Sequence, residues 1–538
     1  MSAIGFHDAA LRSAGYAALT ERLGIKVIPN WHESLVAPGN THRVGSSGAM
    51  VRETYTSRHW PGEGLGDHLE FALKYDGTNL GILASIFRSM DVKEFTTYVQ
   101  SRPTGKYARR LWYLYELITG QRLPIKDLTR GSYVDLLDPS MYYTASPSRR
   151  IAISLTVGGP AHKGGKVIAQ GNAVAKVDPK VRRQRINDNL LGDGRFCPII
   201  RRTESLRRFE AMDLRQRCQQ VVAAYPPELL KRALSYLYTK ETKSSFEIEH
   251  IKPDANRTER FVALLQLAEK EDFCDKPHLI DLQNRIVDPR FVAADYRTTQ
   301  NYVGETVAVN QERVHFACPK PDDLPDLMAG LIAANHRMAD DDVHPVVHAA
   351  AVAYGFVFLH PFEDGNGRIH RFLIHNVLAR RGFSPQSLMF PVSAAMLKNP
   401  ADYDTSLEAF SRPLMPLVEY TLDEDGRMTV LSDTAVWYRF IDMTPQAEAL
   451  FSFIEKTIDT ELADELTFLA NYDRTKAAIQ DIVDMPDRQI DLFIRFCLQN
   501  HGRLAAGKRA SHLSFLTNDE VARMEQAVRD AYGENATG

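Results

Sequence analysis

Cysteine is scarce in this chain: five residues in 538, Cys197, Cys218, Cys274, Cys318 and Cys497. Their number is odd and no Cys-x-x-Cys spacing occurs, which excludes a disulfide framework and a zinc-ribbon pattern. Reduced thiols are expected, and with them a cytoplasmic compartment. Long apolar runs are lacking as well. The longest candidate, Ala349–Leu359, falls short of the ~18 residues that a membrane helix requires. Met1–Asp8 has neither a basic n-region nor an apolar h-region, so no secretory leader is expected. Net charge is small, −3 at neutral pH, while 44% apolar and 25% charged residues are ordinary for a soluble globular protein. No repeat or low-complexity tract is visible. The length exceeds the ~250–300 residues of a single core and suggests about three domains.

The small net charge conceals an uneven distribution. Residues 101–220 carry 23 lysines and arginines against 10 acids, a surplus of 13 that leaves the remainder near −16. Paired arginines recur at Arg109-Arg110, Arg149-Arg150, Arg182-Arg183, Arg201-Arg202 and Arg207-Arg208. Leu80 to Leu123 reads as consecutive helices that set Lys106, Arg109 and Arg110 beside Trp112, Tyr113 and Tyr115. Strand-like pieces follow at Ser132–Leu137 and Arg150–Val157. Residues 1–200 therefore read as a basic α+β region of winged-helix-like order, with residues 1–40 mixed and loosely attached. Such a module offers contact with DNA phosphates; the alternative is pairing of its arginines with acids of the same chain. Gly158-Gly159-Pro160 and Gly164-Gly165-Lys166 superficially suggest a phosphate loop. Pro160 stands where the first glycine is needed, and Val167 replaces the Ser or Thr that would meet Mg²⁺, so that reading is rejected.

Chemistry concentrates in residues 360–371, His-Pro-Phe-Glu-Asp-Gly-Asn-Gly-Arg-Ile-His-Arg. A buried apolar helix precedes the string, and Phe372, Leu373, Val377 and Leu378 continue as a second helix. The tight turn between them exposes N–H groups and the positive end of a helix dipole, a natural phosphate site. Gly365 and Gly367 let the backbone approach an anion. Arg368 and Arg371 supply charge-assisted bonds to phosphate oxygens. Asp364 is a hard oxygen ligand suited to Mg²⁺, and His360 suits a general base near neutrality.

Position for position, the string resembles the signature of the Fic family: His, any, Phe, any, Asp or Glu, Gly-Asn-Gly-Arg, any, any, Arg. The resemblance implies a mainly α-helical core with a β-hairpin flap, and transfer of AMP from ATP to a Ser, Thr or Tyr hydroxyl of a protein. It assigns proton removal to His360 and the metal to Asp364. Phosphate contacts fall to Gly365, Asn366, Gly367 and Arg368, the γ-phosphate to Arg371, and packing beneath the loop to Phe362. Val314, His315 and Phe316, closed by Pro319 and Pro321, read as an exposed edge strand or hairpin. They resemble the family's target-docking flap, about residues 312–321, which would pair with an extended target segment.

Upstream, Leu229, Leu230, Ala233, Leu234 and Leu237 are spaced as a helix that begins at paired prolines. The helix, about residues 227–250, ends in Ser245, three residues and Glu249. This resembles the family's inhibitory motif, in which the glutamate takes the place of the γ-phosphate at the second arginine, here Arg371. His250 departs from the Gly or Asn usual after that glutamate. The expected organisation is thus 1–200, a Fic-type domain over 201–425, and a helical or winged-helix-like accessory module over 426–538. A polar hairpin link is expected at Asp423–Gly426, helices at Ala447–Ile458 and Asp487–Leu498, and a helix cap at Thr517. His344 and His348, one turn apart, lack a zinc protease's glutamate because Pro345 occupies its place. His370 and His375 read as lining a helix face or touching solvent.

The function expected is a cytoplasmic protein adenylyltransferase that uses Mg²⁺ and ATP, acts on a protein target or on itself, and is restrained by Glu249. The competing expectations are a nucleotide-sensing DNA- or protein-binding regulator with a closed site, transfer of another phosphate-containing group, and removal of AMP. No membrane partner is expected.

Overall fold

The pattern from Leu80 to Leu123 folds as three helices, Leu80–Ser89, Val92–Ser101 and Lys106–Thr119. They belong to a computed structural model that describes residues 11–40, 42–47, 50–146, 151–152, 174–175, 180–308, 311–385 and 388–533. The glycine-rich stretch 158–167, the pair Arg149-Arg150 and most of the strand expected at Arg150–Val157 lie outside the described residues. Helices dominate the rest, with a few small sheets, so the fold is mainly α. The chain forms two compact units, each drawn from three separate stretches. One comprises Met1–Phe209, Leu267–Arg381 and Pro400–Phe451; the other comprises Glu210–Gln266, Gly382–Asn399 and Ser452–Gly538.

In the first unit residues 11–40 are not loosely attached, contrary to expectation, while residues 1–10 lie outside the described residues. His32–Val36 pairs in parallel with Met50–Tyr55, which pairs antiparallel with Arg43–Ser47, and Arg12–Ser13 closes the other edge. Ala14, Tyr16 and Leu19 are buried, and Asp76 accepts a hydrogen bond from the Tyr16 backbone at 3.0 Å. This four-stranded sheet precedes the helices, where no strands were expected, while Val134–Asp135, within the strand expected at Ser132–Leu137, follows them and pairs in parallel with Ile186–Asn187.

Arginines of the basic region are largely committed inside this unit. Arg109 is buried and donates to the Gln184 and Ser132 carbonyls at 2.8 and 2.9 Å. Arg183 lies 3.0 Å from Glu116 and covers the Trp112 ring at 4.9 Å. Arg201 pairs with Asp442 at 3.1 Å and covers Trp31. These ties are the intrachain alternative, and no feature of the described residues supports a DNA contact. Phe196 is fully buried where residues 192–200 cross two helices, Leu324–Ala339 and Pro345–Leu359. Both present glycine there: a Cβ at Gly330 or Gly355 would stand 2.6 or 2.7 Å from Phe196. The link at Asp423–Gly426 is a hairpin between Tyr420–Leu422 and Met428–Val430.

The second unit is helical. Its apolar centre includes Ile490, Phe493, Ile494, Met524 and Val528. Pro486 caps the helix Asp487–Leu498, and Thr517 and Glu520 form a reciprocal capping box at Asn518–Tyr532. The helix expected at Ala447–Ile458 is observed as Thr444–Lys456.

Candidate active site

The helix Pro345–Leu359 has Pro345 in its first turn, with His344 Nδ1 accepting from Val346 N–H at 3.2 Å. His348 is buried with its Nε2 2.9 Å from Asn335 Oδ1, and burial pushes its pKa well down. Both imidazoles have structural roles, and the described residues hold no cluster of three or more metal-ligating side chains. His370 and His375 are buried rather than in contact with solvent. His370 packs edge-on against Tyr354 at 4.7 Å, and burial lowers its pKa to about 3.

The helix stops at His360, whose φ of 49° and ψ of 57° lie in the left-handed region. Its half-buried ring has Nδ1 3.3 Å from the Val357 carbonyl. A carbonyl only accepts, so that contact places the proton on Nδ1 and leaves the Nε2 lone pair for a substrate proton. Burial first, and the Arg297 guanidinium second, lower the His360 pKa to about 4; the Val357 carbonyl and Asp364 act in the opposite direction. The imidazole is therefore neutral throughout the physiological range.

Arg297 is a functional residue that the sequence pattern does not single out. It is buried, and among the described residues its side-chain hydrogen bonds all go to backbone carbonyls. Nε donates to the His360 carbonyl at 2.8 Å, while the two terminal nitrogens donate to the Thr299 and Pro319 carbonyls at 2.7 Å each. Its own N–H donates to the Pro361 carbonyl at 2.8 Å. One side chain thus fastens the His360 loop to both feet of the hairpin. No local signal marks this role, because carbonyl acceptors carry no residue identity.

The turn after His360 is closed from within. Asn366 Oδ1 accepts from Phe362 N–H at 3.1 Å, and its Nδ2 donates to the Phe362 carbonyl at 2.7 Å. Phe362 is fully buried against Tyr296 and Phe356, beneath the loop as expected. Gly365 has φ 91°, and a Cβ there would meet Val287 Cγ1 at 2.9 Å, so both conformation and space require glycine. Helix Asn366–Arg380 begins immediately afterwards. The first N–H groups of a helix have no carbonyl one turn earlier, so this start presents donors and a positive dipole end. Gly367 is half-buried, and Arg368 and Arg371 are buried.

Asp364 Oδ1 receives the Gly365 N–H and the Arg368 guanidinium, each at 2.6 Å. Oδ2 has no protein partner among the described residues, and the side chain is 39% exposed. Magnesium commonly binds through one carboxylate oxygen together with substrate phosphates and water. The free edge of Asp364 fits an ion that arrives with a nucleotide.

The flap is a hairpin of Tyr302–Ala308 and Gln311–Ala317 with two register shifts. Its three expected docking residues divide. His315 is exposed, Val314 half-buried, and Phe316 buried with Phe358, Phe410 and Tyr438 at ring separations of 6.2 Å. Phe316 thus anchors the hairpin, and His315 faces outward.

Ser245 and Glu249 lie in the second unit at the end of the helix Pro227–Glu247. Ser245 is buried and Glu249 half-buried. His250 follows with φ 56°, in the left-handed region that Gly and Asn enter most readily and His less often. The position that departs from the family pattern therefore makes the left-handed turn that a Gly or Asn would make.

Residues 273–378, all within the first unit, match the model of the Fic/DOC family. Protein adenylyltransferase Fic of Culex quinquefasciatus is 34% identical over 122 residues, 22% of this chain and 22% of that protein. Protein adenylyltransferase fic-1 of Caenorhabditis elegans is 28% identical over 208 residues, 36% of this chain and 37% of that protein. The likeness thus spans between about a fifth and two fifths of these relatives. A solved Fic family protein from Desulfovibrio desulfuricans G20 aligns at 19% identity with a TM-score of 0.35, covering 61% of this chain and 90% of that one.

Proposed function

We propose that this chain is a protein adenylyltransferase, a reading supported by the match of residues 273–378 to the Fic/DOC family model. It moves AMP from ATP to a Ser, Thr or Tyr hydroxyl of a protein target or of itself. His360 Nε2 takes the hydroxyl proton as that oxygen bonds to the α-phosphorus, and the bond to the departing pyrophosphate breaks. The helix start at Asn366–Arg380, with Arg368 and Arg371, holds the phosphates, and Asp364 holds Mg²⁺. The metal, when bound, neutralises phosphate charge. The observation that carries this reading is a neutral imidazole with a free Nε2, six residues ahead of a glycine-lined helix start. The cytoplasm, with its ATP, is the proposed compartment, and the regions 1–200 and 426–538 are proposed to serve targeting or regulation.

Incubation of the purified chain with α-labelled ATP, Mg²⁺ and an extract tests it. Label should pass to protein and vanish in His360→Ala. ATP binding without transfer would favour the sensor instead, and transfer of only the γ-label would favour movement of another group.

Glu249 is proposed to restrain the reaction, supported by its place after Ser245 at a helix end closed by a left-handed residue. Glu249→Gly should raise self-labelling several-fold over the parent chain. Equal labelling would remove Glu249 as the restraint. Loss of AMP from premodified protein that depends on Glu249 would assign it to the reverse reaction.

A further inference from the structure

A cavity of about 370 Å³ opens between the hairpin, the end of Pro345–Leu359 and the helix Pro400–Leu414, all in the first unit. His360 and His315 stand on its wall. Val303, Val357 and Leu407 make an apolar floor, and Val303 is 45% exposed. Asp404, Leu407, Glu408 and Ser411 project from one face of Pro400–Leu414, at the i, i+3, i+4, i+7 spacing of a helix. Glu408 is paired with Arg412. Asp404 is exposed and has no ion-pair partner among the described residues. The volume lies at the small end of ligand sites, which run from roughly 300 to 1,000 Å³, and suits one bulky side chain rather than a nucleotide.

The geometry points to this cavity as the pocket that selects the protein target. Its occupant is an extended segment in which the modified hydroxyl residue stands two positions from a bulky apolar side chain, with a Lys or Arg alongside. This rests on the transferase reading above. The hydroxyl oxygen must come within hydrogen-bond reach of His360 Nε2, about 2.6–3.2 Å. In an extended segment laid along the hairpin, side chains two residues apart share a face at a spacing of ~6.6 Å. Seating one at His360 therefore directs the next into the adjoining apolar floor. A cation beside it meets the unpaired carboxylate of Asp404, and an acid there would be repelled. Leu407 and Asp404 are thus specificity residues for the target and touch neither nucleotide nor metal.

A panel of synthetic peptides, each with one Ser, Thr or Tyr, with or without an apolar residue at two positions and with Lys, Ala or Glu beside it, serves as the probe. The full chain is used with α-labelled ATP and Mg²⁺, alone and as Glu249→Gly. Peptides with the apolar and Lys positions filled should show the highest kcat/KM. Asp404→Lys should lower it for Lys peptides by roughly threefold to tenfold and raise it for the Glu peptides. Leu407→Trp, which fills the floor, should abolish the apolar preference, while ATP binding and Tm show that both variants are folded. Transfer with no preference for the apolar or Lys positions, or a charge swap without effect, overturns the pocket and leaves the transferase reading standing. No transfer by the parent chain to any peptide or protein overturns both.

Discussion

His360 can accept a proton only while its ring is neutral, and burial together with Arg297 keeps it neutral down to about pH 4. With the essential base deprotonated above that value, kcat/KM should be level from about pH 5 upward and fall as the pH drops through about 4. An acid limb near the ordinary imidazole value of ~6.5 would show that another group governs the rate. Arg297→Met removes the neighbouring cation, so the acid limb should move upward, toward 6.5. It also strips donors from the His360, Thr299 and Pro319 carbonyls, and each abandoned carbonyl costs about 1–3 kcal/mol, read as a lower urea midpoint. Unchanged stability and an unmoved limb would deny Arg297 its positioning role. The roles of His360, Phe362 and Asp364 were readable from the string itself, because local order sets their neighbours. That of Arg297 was not, since it stands 63 residues before His360.

The turn and the two helices around it form the element on which phosphate binding depends. Gly365→Ala puts a Cβ at φ 91° and 2.9 Å from Val287 Cγ1, so the turn must open or Val287 must shift. A loss of about 1–3 kcal/mol is expected by urea unfolding, together with weaker ATP binding by calorimetry. Stability and affinity equal to the parent chain would mean that the turn does not require glycine. Helices were the most readable elements: Pro227–Glu247, Asp487–Leu498 and Asn518–Tyr532 each carry an apolar stripe and a start signal. The strands His32–Val36 and Met50–Tyr55 went unread. Each is short, their parallel pairing joins residues about 19 apart, and Val36 and Tyr55 are buried against Ala14 and Phe71 from elsewhere in the chain. The division of the flap into buried Phe316 and exposed His315 follows from alternation along a strand, but which side faces the protein was settled by Phe358, Phe410 and Tyr438.

For the whole molecule, buried neutral histidines make stability depend on pH. An unfolded histidine takes up a proton near pH 6.5, whereas native His370 does so only near 3, and native His348 also well below its ordinary value. Between those limits the unfolded chain binds more protons, so stability declines as pH falls from about 6.5. His370 alone should account for about 2 kcal/mol between pH 8 and pH 5, a decline that His370→Gln should reduce in denaturant titrations at the two pH values. An equal decline in both proteins would place the titration elsewhere. The composition of residues 101–220 announced a basic surplus but not its destination. Arg109, Arg183 and Arg201 meet carbonyls, acids and rings of the same unit, which charge counting cannot foresee because it ignores distance. The units are likewise each assembled from three stretches, so a boundary sought along the chain has no single place. By itself the order of amino acids determined the dodecamer that joins an imidazole to a glycine-lined helix start, and the caps and stripes of the larger helices, since these depend on neighbours within a turn or two. Packing alone decided that Arg297 stands over His360, that its ring stays neutral, and that Asp404 and Leu407 share a cavity with it, because those proximities join segments that the chain itself keeps far apart.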